Sequence, residues 1–225
     1  MSSRKRFLPA DIELPSLAPG QPPMVVKLGG SVMRSPELSA WLDVIAASLR
    51  PVILVPGGGA LADEVRAAQL ELGFDDAAAH RMALLAMDQN AWAVAGLRPG
   101  FIVGNTEEAL RAVLARRRVA VWAPYLLVAD RADIPRSWAV TSDSLALWLA
   151  CRLAAGCCCI VKSIQRRCRS FSAAQLAHGG IVDEAFPVML KDAGFPVFLL
   201  GRGDQAALAA GLSGIETTTC GATIV

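Results

Sequence analysis

Short runs of apolar residues alternate along the chain with longer segments that carry apolar residues at helical spacing. The runs are rich in Val, Ile and Leu, which is typical of strands buried on both faces. They predict strands at 24–28, 51–55, 101–103, 119–122, 158–162, 196–200 and 222–225. The segments between them predict helices at 38–49, 61–72, 77–95, 105–114, 142–155, 183–193 and 204–211, with a further helical piece after Ser172. This alternation predicts an α/β fold whose mostly parallel sheet is covered by helices on both faces.

The remaining segments contain turn and loop signals. Prolines recur through residues 1–23, so we expect an irregular N-terminal arm there, followed by a single domain over 24–225. Residues 124–138 are expected to form a loop. Asn105 with Glu108 resembles a helix capping box, as does Ser172 with Gln175.

Composition narrows the class of protein. The chain is 54% hydrophobic and 19% charged, with a mean hydropathy of +0.43. No run approaches the roughly 18 apolar residues that span a bilayer, so we expect no membrane contact and assign the surplus apolar surface to a buried sheet and a homo-oligomer interface. A net charge of +2 does not favour nucleic acid as a partner. The six cysteines lack zinc-site spacing, and the basic start lacks the apolar stretch of a secretory signal, so we expect a reduced cytoplasmic protein.

The first predicted strand ends in a turn suited to an anion. Lys27 lies just before Gly29, Gly30 and Ser31. Glycines at the carboxyl edge of a sheet leave backbone N–H groups accessible to a phosphate, and the lysine adds a positive charge. The alternative is an ordinary strand–turn–helix corner in which the glycines serve only the backbone, and both interpretations remain open on this stretch alone.

Three further loops carry polar chemistry at strand ends or helix starts. They are Gly57-Gly58-Gly59, Thr141-Ser142-Asp143-Ser144 and Lys162-Ser163. In open α/β sheets, ligands bind at the carboxyl ends of strands, so these loops are expected to meet. Two glycine turns and two lysines suit phosphoryl transfer, which requires placement and charge stabilisation. Asp143 would orient the lysines or help to position Mg²⁺.

The order of these motifs resembles the amino acid kinase family, from Lys-x-Gly-Gly-Ser to the ending Gly221-Ala222-Thr223-Ile224. The resemblance implies a three-layer αβα sandwich around a central sheet of about eight strands, and an ATP-dependent kinase with a phosphate or carboxylate acceptor and Mg²⁺. It places Lys27 and Lys162 on the transferring phosphoryl group, with Asp143 organising them. It implies no metal-binding side chains. It assigns the nucleotide to Gly29, Gly30, Ser31 and Ser163, and the acceptor to Gly57, Gly58, Gly59, Asp88 and Thr141.

Several segments resemble one branch of the family, which acts in methanofuran synthesis and one-carbon metabolism. They lie at 55–59, 79–89, 140–146 and 181–186. The branch implies a small phosphate monoester that carries an amine as the acceptor, with Asp88 as a candidate for its ammonium. Alternatively, Asp88 is a solvated carboxylate on a helix face. His80 is more often a surface or packing histidine than a ligand, and Asp183 more often caps a helix than touches substrate.

The segment after Lys162 departs from the family pattern. It carries Ser163-Ile164-Gln165-Arg166-Arg167 in place of Asp-Gly, and a later lysine of several family kinases is absent, so Arg166, Arg167 or Lys191 would have to compensate. Three hypotheses therefore stand. They are an ATP-dependent kinase of a small phosphate, a non-catalytic nucleotide-binding, anion-binding or storage member of the fold, and a structural α/β domain whose glycines serve only turns.

Overall fold

A computed structural model describes residues 21–166, 168–213 and 220–225 of the chain. The strands in these ranges are Met24–Leu28 (β1), Val52–Pro56 (β2), Phe101–Gly104 (β3), Val119–Trp122 (β4), Cys157–Val161 (β5), Ser170–Phe171 (β6), Val197–Leu200 (β7) and Ala222–Ile224 (β8). Within the described chain they form one eight-stranded sheet in the order β3-β4-β2-β1-β5-β7-β8-β6. The strand pairs are parallel except for β7 and β8, which are antiparallel.

Helices cover both faces of this sheet. They are Leu38–Ala46 (α1), Gly59–Leu72 (α2), Asp76–Leu97 (α3), Glu107–Ala115 (α4), Tyr125–Val128 (α5), Ser142–Arg152 (α6), Ala173–His178 (α7), Phe186–Lys191 (α8) and Gln205–Leu212 (α9). Successive side chains of β1 point to opposite faces, so Val25 packs in one apolar cluster with Leu145 of α6, while Val26 packs in the other with Leu42 of α1. The three-layer αβα fold expected from the sequence is confirmed.

Strand β1 lies at the centre of the sheet, between β2 and β5. Lys27 is in register with Val55 of β2 and with Ile160 of β5. Because all three strands run in the same direction, the turns that follow them emerge side by side. This placement brings the first glycine turn, the triple glycine and Lys162 to one edge of the sheet.

The elements differ from the expected ones in several places, and the two-residue strand β6 was not expected at all. Thr106, not Asn105, caps α4, because its hydroxyl accepts a hydrogen bond from the N–H of Ala109 at 3.1 Å. The expected loop 124–138 contains the one-turn helix α5, and the expected helix 183–193 is shortened to α8. The Ser172 side chain makes no capping hydrogen bond.

The expected N-terminal arm lies outside the described residues except for 21–23. Among the described residues, no helix combines the length and the apolar character needed to cross a membrane.

Candidate active site

A buried trio of charged side chains lies at the centre of the sheet's carboxyl edge. Lys27 Nζ is 2.6 Å from Asp143 Oδ1, and Lys162 Nζ is 2.7 Å from Asp143 Oδ2. The side chains of Lys27 and Asp143 are 2% and 5% exposed, and that of Lys162 is 15% exposed. Each lysine therefore contacts one oxygen of a single carboxylate.

Burial changes the proton affinity of this trio. Removal from water is the main cause that lowers the pKa of Lys27 to about 8, with the Asp143 carboxylate opposing it and the Lys162 ammonium adding to it. Burial works against the charge on Asp143, but the two ammonium groups outweigh it and hold the pKa of this carboxyl below its usual value. With all three groups ionised the trio has a net charge of +1, so it favours an additional anion.

The two glycine turns touch each other through their backbones. A Cβ on Gly30 would lie 2.5 Å from Cα of Gly59, and a Cβ on Gly57 would lie 2.8 Å from N of Gly30. Gly59 also has a φ of +54°, which favours glycine. The amide nitrogen of Asn90 donates to the carbonyl oxygens of Gly57 at 2.7 Å and Gly58 at 2.9 Å. Side chains are therefore excluded between the turns, and α3 holds the triple glycine in place.

Some backbone donors of these turns are committed to the fold and others are not. The N–H of Gly29 donates to Val161 at 2.9 Å, and the N–H of Gly57 donates to Leu28 at 2.8 Å. Among the described residues, the N–H groups of Gly30, Ser31 and Gly58 have no hydrogen-bond partner. Gly58 also stands at the N-terminus of α2, where the helix dipole favours an anion.

A cavity of about 330 Å³ opens between these groups and the helices α2 and α3. Eight of the site residues expected from the sequence line it, and these are Lys27, Gly30, Ser31, Gly58, Gly59, Thr141, Asp143 and Lys162. Gly29, Gly57, Asp88 and Ser163 are not among the lining residues. The structure thus brings together one residue set at one cavity and leaves four expected residues beside it.

Asp88 lies on α3 away from this cavity. Its carboxylate accepts a hydrogen bond from the N–H of Tyr125 at 3.1 Å and so caps α5. Partial burial raises its pKa, and the Tyr125 hydrogen bond opposes that rise. Ser163 directly follows Lys162 in the loop after β5, a strand that pairs with β7, and it does not line the cavity.

Asp183 holds the start of α6 in place. Its carboxylate accepts hydrogen bonds from the N–H and the hydroxyl of Thr141, both at 2.8 Å, and from the N–H and the hydroxyl of Ser144. It also accepts from the N–H of Phe186 at 3.1 Å, so one side chain caps α6 and α8. Burial raises the pKa of Asp183, as does the charge of Asp143. The expectation that Asp183 caps a helix is confirmed, and this cap fixes the turn that carries Asp143.

Several residues of the cavity wall were not expected from the sequence, among them Asp63, Arg66 and Trp138. The Arg66 guanidinium stands 3.9 Å from the centroid of the Trp138 ring, whose Nε1 donates to Gln69 at 2.7 Å. Asp63 and Arg66 follow Gly59 at helical spacing, so one face of α2 is the signal that could have revealed them. Trp138 comes from the expected loop, and no local pattern marks it.

His80 also lines the cavity and is only 5% exposed, so of the two expected placements, surface or packing, the structure has the buried one. Burial lowers its pKa, and the nearby charges of Arg136 and Arg81 lower it further. The imidazole is therefore neutral at physiological pH.

The loops after β5 and β7 bond to each other on the other side of Lys162. Arg166 holds Asp204 through two hydrogen bonds, of 2.7 and 2.9 Å. The N–H of Gly201 donates to the same carboxylate at 2.8 Å, and the N–H of Arg202 donates to the carbonyl oxygen of Ile164 at 2.8 Å. Arg166 is therefore tied to its neighbour loop, and Arg167 lies outside the described residues.

Across the described ranges, no group of three or more His, Cys, Asp or Glu side chains is arranged to hold a metal ion. Both oxygens of Asp143 face ammonium groups. A Mg²⁺ ion at this site would therefore need ligands from a bound molecule and from water, which is how Mg²⁺ is commonly held beside phosphates.

Comparison with known proteins agrees with this geometry. A curated relative, the [5-(aminomethyl)furan-3-yl]methyl phosphate kinase of Methanocaldococcus jannaschii, is 27% identical over 179 residues, which cover 74% of this chain and 82% of the relative. The uridylate kinase of Archaeoglobus fulgidus superposes with a TM-score of 0.65 at 18% identity, over 89% of this chain and 97% of that one. The UMP kinase of Bacillus anthracis gives 0.64 at 14% identity, over 90% and 95%.

The model of the amino acid kinase family matches residues 22–166, which include both glycine turns and the buried trio. The furan phosphate kinase supports the branch expected from the motifs. This chain therefore belongs to the amino acid kinase family and is a kinase.

Proposed function

We propose that this protein transfers a phosphoryl group from ATP to a small phosphate monoester that carries an amine, as a step in the synthesis of a methanofuran-type cofactor. The observation that carries the proposal is the buried Lys27–Asp143–Lys162 trio, whose three side chains line one cavity together with the glycine turns. Its net positive charge, removed from water, suits the charge that develops on a transferring phosphoryl group. The curated relative is a kinase of a phosphate monoester that carries an aminomethyl group, and this supports the proposed class of acceptor.

In this proposal, the charged side chains act on the transferring phosphoryl group, and backbone N–H groups bind the other phosphates. Lys27 and Lys162 neutralise the phosphoryl oxygens, and Asp143 keeps the two ammonium groups at a fixed separation. The free N–H groups of Gly30 and Ser31 suit the phosphates of the donor, and Gly58 at the N-terminus of α2 suits the acceptor phosphate. When bound, ATP would supply the phosphoryl group, and its phosphates together with water would supply ligands for Mg²⁺.

We propose Asp63 as the partner of the acceptor's ammonium. It lines the same cavity as the lysines, whereas Asp88 is bonded to the backbone of Tyr125 outside it. A phosphate at the lysines and an ammonium at Asp63 would each meet an opposite charge. Asp88, the candidate from the sequence, remains the alternative that a substitution can test.

A non-catalytic nucleotide- or anion-binding role is the second candidate. The observation that favours it is the Arg166–Asp204 pair, which joins the two loops on the donor side. If the pair keeps these loops closed, the protein would bind a phosphate without turning over.

The test is an assay of the purified protein with ATP, Mg²⁺ and a panel of phosphate monoesters of similar size, with and without an amine. We expect ADP release with the amine-bearing members, together with a diphosphate product in the phosphorus NMR spectrum. Chelation of Mg²⁺ should stop the reaction, and its addition should restore it. If no member of the panel releases ADP above the background of ATP alone, the proposed acceptor class is wrong, and binding of a phosphate without turnover would favour the second candidate.

We also propose a homo-oligomer. Met82, Leu85 and Trp92 form one exposed stripe along α3, and they are 39%, 43% and 68% exposed. A stripe of large apolar side chains favours a contact between protein molecules. Light scattering should give a mass above that of one chain, and Trp92→Glu should lower this mass.

We propose the cytoplasm as the compartment of this protein, because its six free thiols fit a reducing environment.

A further inference from the structure

His80 differs from the other polar side chains on its helix. Asn90 donates to the triple glycine and Asp88 accepts from Tyr125, so both are satisfied by the fold. Among the described residues, neither ring nitrogen of His80 has a hydrogen-bond partner, Nε2 is buried, and the residue as a whole is only 5% exposed. A buried polar group without a partner costs stability, so a histidine that served only packing would be replaced at no loss by an apolar residue.

The position of His80 relates this unpaired ring to a ligand. His80, Ala83, Leu84 and Met87 lie on one face of α3, and all of them line the cavity that contains Lys27 and Lys162. The other three are apolar, so the imidazole is the one polar side chain that α3 contributes to this wall. It lies in the same wall as the residues that surround the acceptor in the proposed function.

The charge state of the ring selects the kind of atom it recognises. The ring is neutral, because burial and the charges of Arg136 and Arg81 disfavour its protonation. A neutral imidazole offers one donor and one acceptor and has little attraction for a phosphate, which the two lysines serve. It suits an uncharged oxygen in the body of the acceptor, between the phosphate end and the ammonium end.

We propose that His80 is a specificity-determining residue of the acceptor site, which hydrogen-bonds an uncharged oxygen atom in the body of the acceptor. This inference rests on the proposed function, since it presumes that the cavity holds the acceptor. It assigns a role that the lysines, Asp143 and the glycine turns do not fill.

The first test compares two acceptors of equal charge and similar size, [5-(aminomethyl)furan-3-yl]methyl phosphate and its analogue with a benzene ring in place of the furan. His80→Phe keeps the volume and removes both nitrogens. We expect it to raise KM for the furan compound about two- to threefold, the low end for one neutral hydrogen bond because a furan oxygen is a weak acceptor, with kcat unchanged and with no change for the benzene analogue. His178→Asn, at an exposed position on α7, is the matched control. Equal effects on both acceptors, or none on either, would overturn the proposal.

The second test needs no turnover. The chain contains only two histidines, so the nitrogen NMR spectrum of its imidazoles holds one signal set for His80 and one for His178. When the nitrogen-labelled protein is titrated with the unlabelled furan compound, the signals of the His80 ring nitrogens should shift and those of His178 should stay in place. An unmoved His80 in a protein that releases ADP overturns this inference alone, whereas a shifted His80 without ADP release overturns the proposed function alone. The wild-type spectrum decides the point even if His80→Phe does not fold.

Discussion

The turns after β1 and β2 leave backbone N–H groups without a hydrogen-bond partner and face a cavity. In contrast, polar groups of the loops after β5 and β7 form hydrogen bonds with each other. Lys27 belongs to the first region, Lys162 stands at the border, and Asp143 joins the two. The first region is therefore organised for a ligand before any ligand arrives. The second must exchange some of its internal contacts to receive one.

This difference explains where the sequence departs from the family pattern. The glycine turns and the trio keep the family's residues, while the segment that begins at Ser163 does not. The changed segment carries Arg166, and the structure uses it to tie two loops together. The comparison predicts large losses when the first region is changed and small gains or losses when the second is.

The largest effect is expected at Lys27. Lys27→Met keeps most of the volume and removes the charge, and kcat should fall by roughly 10²- to 10³-fold, because charge placed at a developing oxyanion is worth about 3–4 kcal/mol. Steady-state kinetics of ADP release give the value. Lys191→Met on α8 is exposed and distant from the cavity, so it should leave kcat unchanged. A Lys27→Met protein with full activity would remove this lysine from the mechanism.

Asp143→Asn should lower kcat by about 10²-fold, because the two ammonium groups lose the carboxylate that fixes them, and small misplacements of such groups are costly. The fold should also lose stability, since two buried cations remain without a counter-charge. Thermal unfolding followed by circular dichroism measures this loss. Retained activity and stability would show that the charge of Asp143 is not needed to hold the two ammonium groups.

The pH dependence of kcat/KM should report the protonation state of Lys27. Its pKa of about 8 means that the charged form is lost as the pH rises through 8, so kcat/KM should fall about tenfold per pH unit above that value. In Asp143→Asn the attraction that raises this pKa is gone, and the falling limb should move to lower pH. A limb that stays near 8 in the variant would assign it to another group.

Asp63→Asn and Asp88→Asn separate the two candidates for the ammonium. For an amine-bearing phosphate, we expect Asp63→Asn to raise KM about five- to tenfold, in keeping with one partly exposed ion pair that a small ligand makes. Asp88→Asn should change KM less than twofold, because an amide oxygen can still accept from Tyr125. With an amine-free phosphate, both variants should match the parent. The reverse order of effects would return the role to Asp88.

The smallest effect is expected on the donor side. Arg166→Gln breaks the pair with Asp204 and frees the two loops, so KM for ATP should fall about threefold while kcat changes little. Arg202→Gln, exposed in the same region, is the control. If KM for ATP instead rises more than tenfold in Arg166→Gln alone, then Arg166 binds the nucleotide and does not close its site.

Local signals in the sequence were sufficient for seven of the eight strands of the described sheet, but not for the two-residue strand β6. A buried strand that ends in glycines can be recognised from a few neighbouring residues, and parallel strands bring such ends together. The cap of α4 was placed one residue early because Asn105 and Thr106 are both good caps, and backbone geometry alone decides between them.

The rest of the cavity wall depends on contacts between distant segments. Trp138 reaches Arg66 and Gln69 across the fold, and His80 faces the lysines only because α3 lies where it does. The positions of Trp138 and His80 in the sequence do not distinguish them from residues that only pack in the core. Asp88 has a helical position as good as that of Asp63, and only the tertiary structure shows which of them borders the cavity.

If phosphates bind at the two glycine turns, as we propose, the backbone contact between Gly30 and Gly59 sets how far apart they lie. Where side chains separate two subsites, rotamer changes can adjust the distance by an ångström or more. Here main chain meets main chain, so the distance is fixed by the thickness of the polypeptide itself. A substitution at either glycine would move both turns at once, and the spacing between the two subsites can change only if a strand of the central sheet shifts with it.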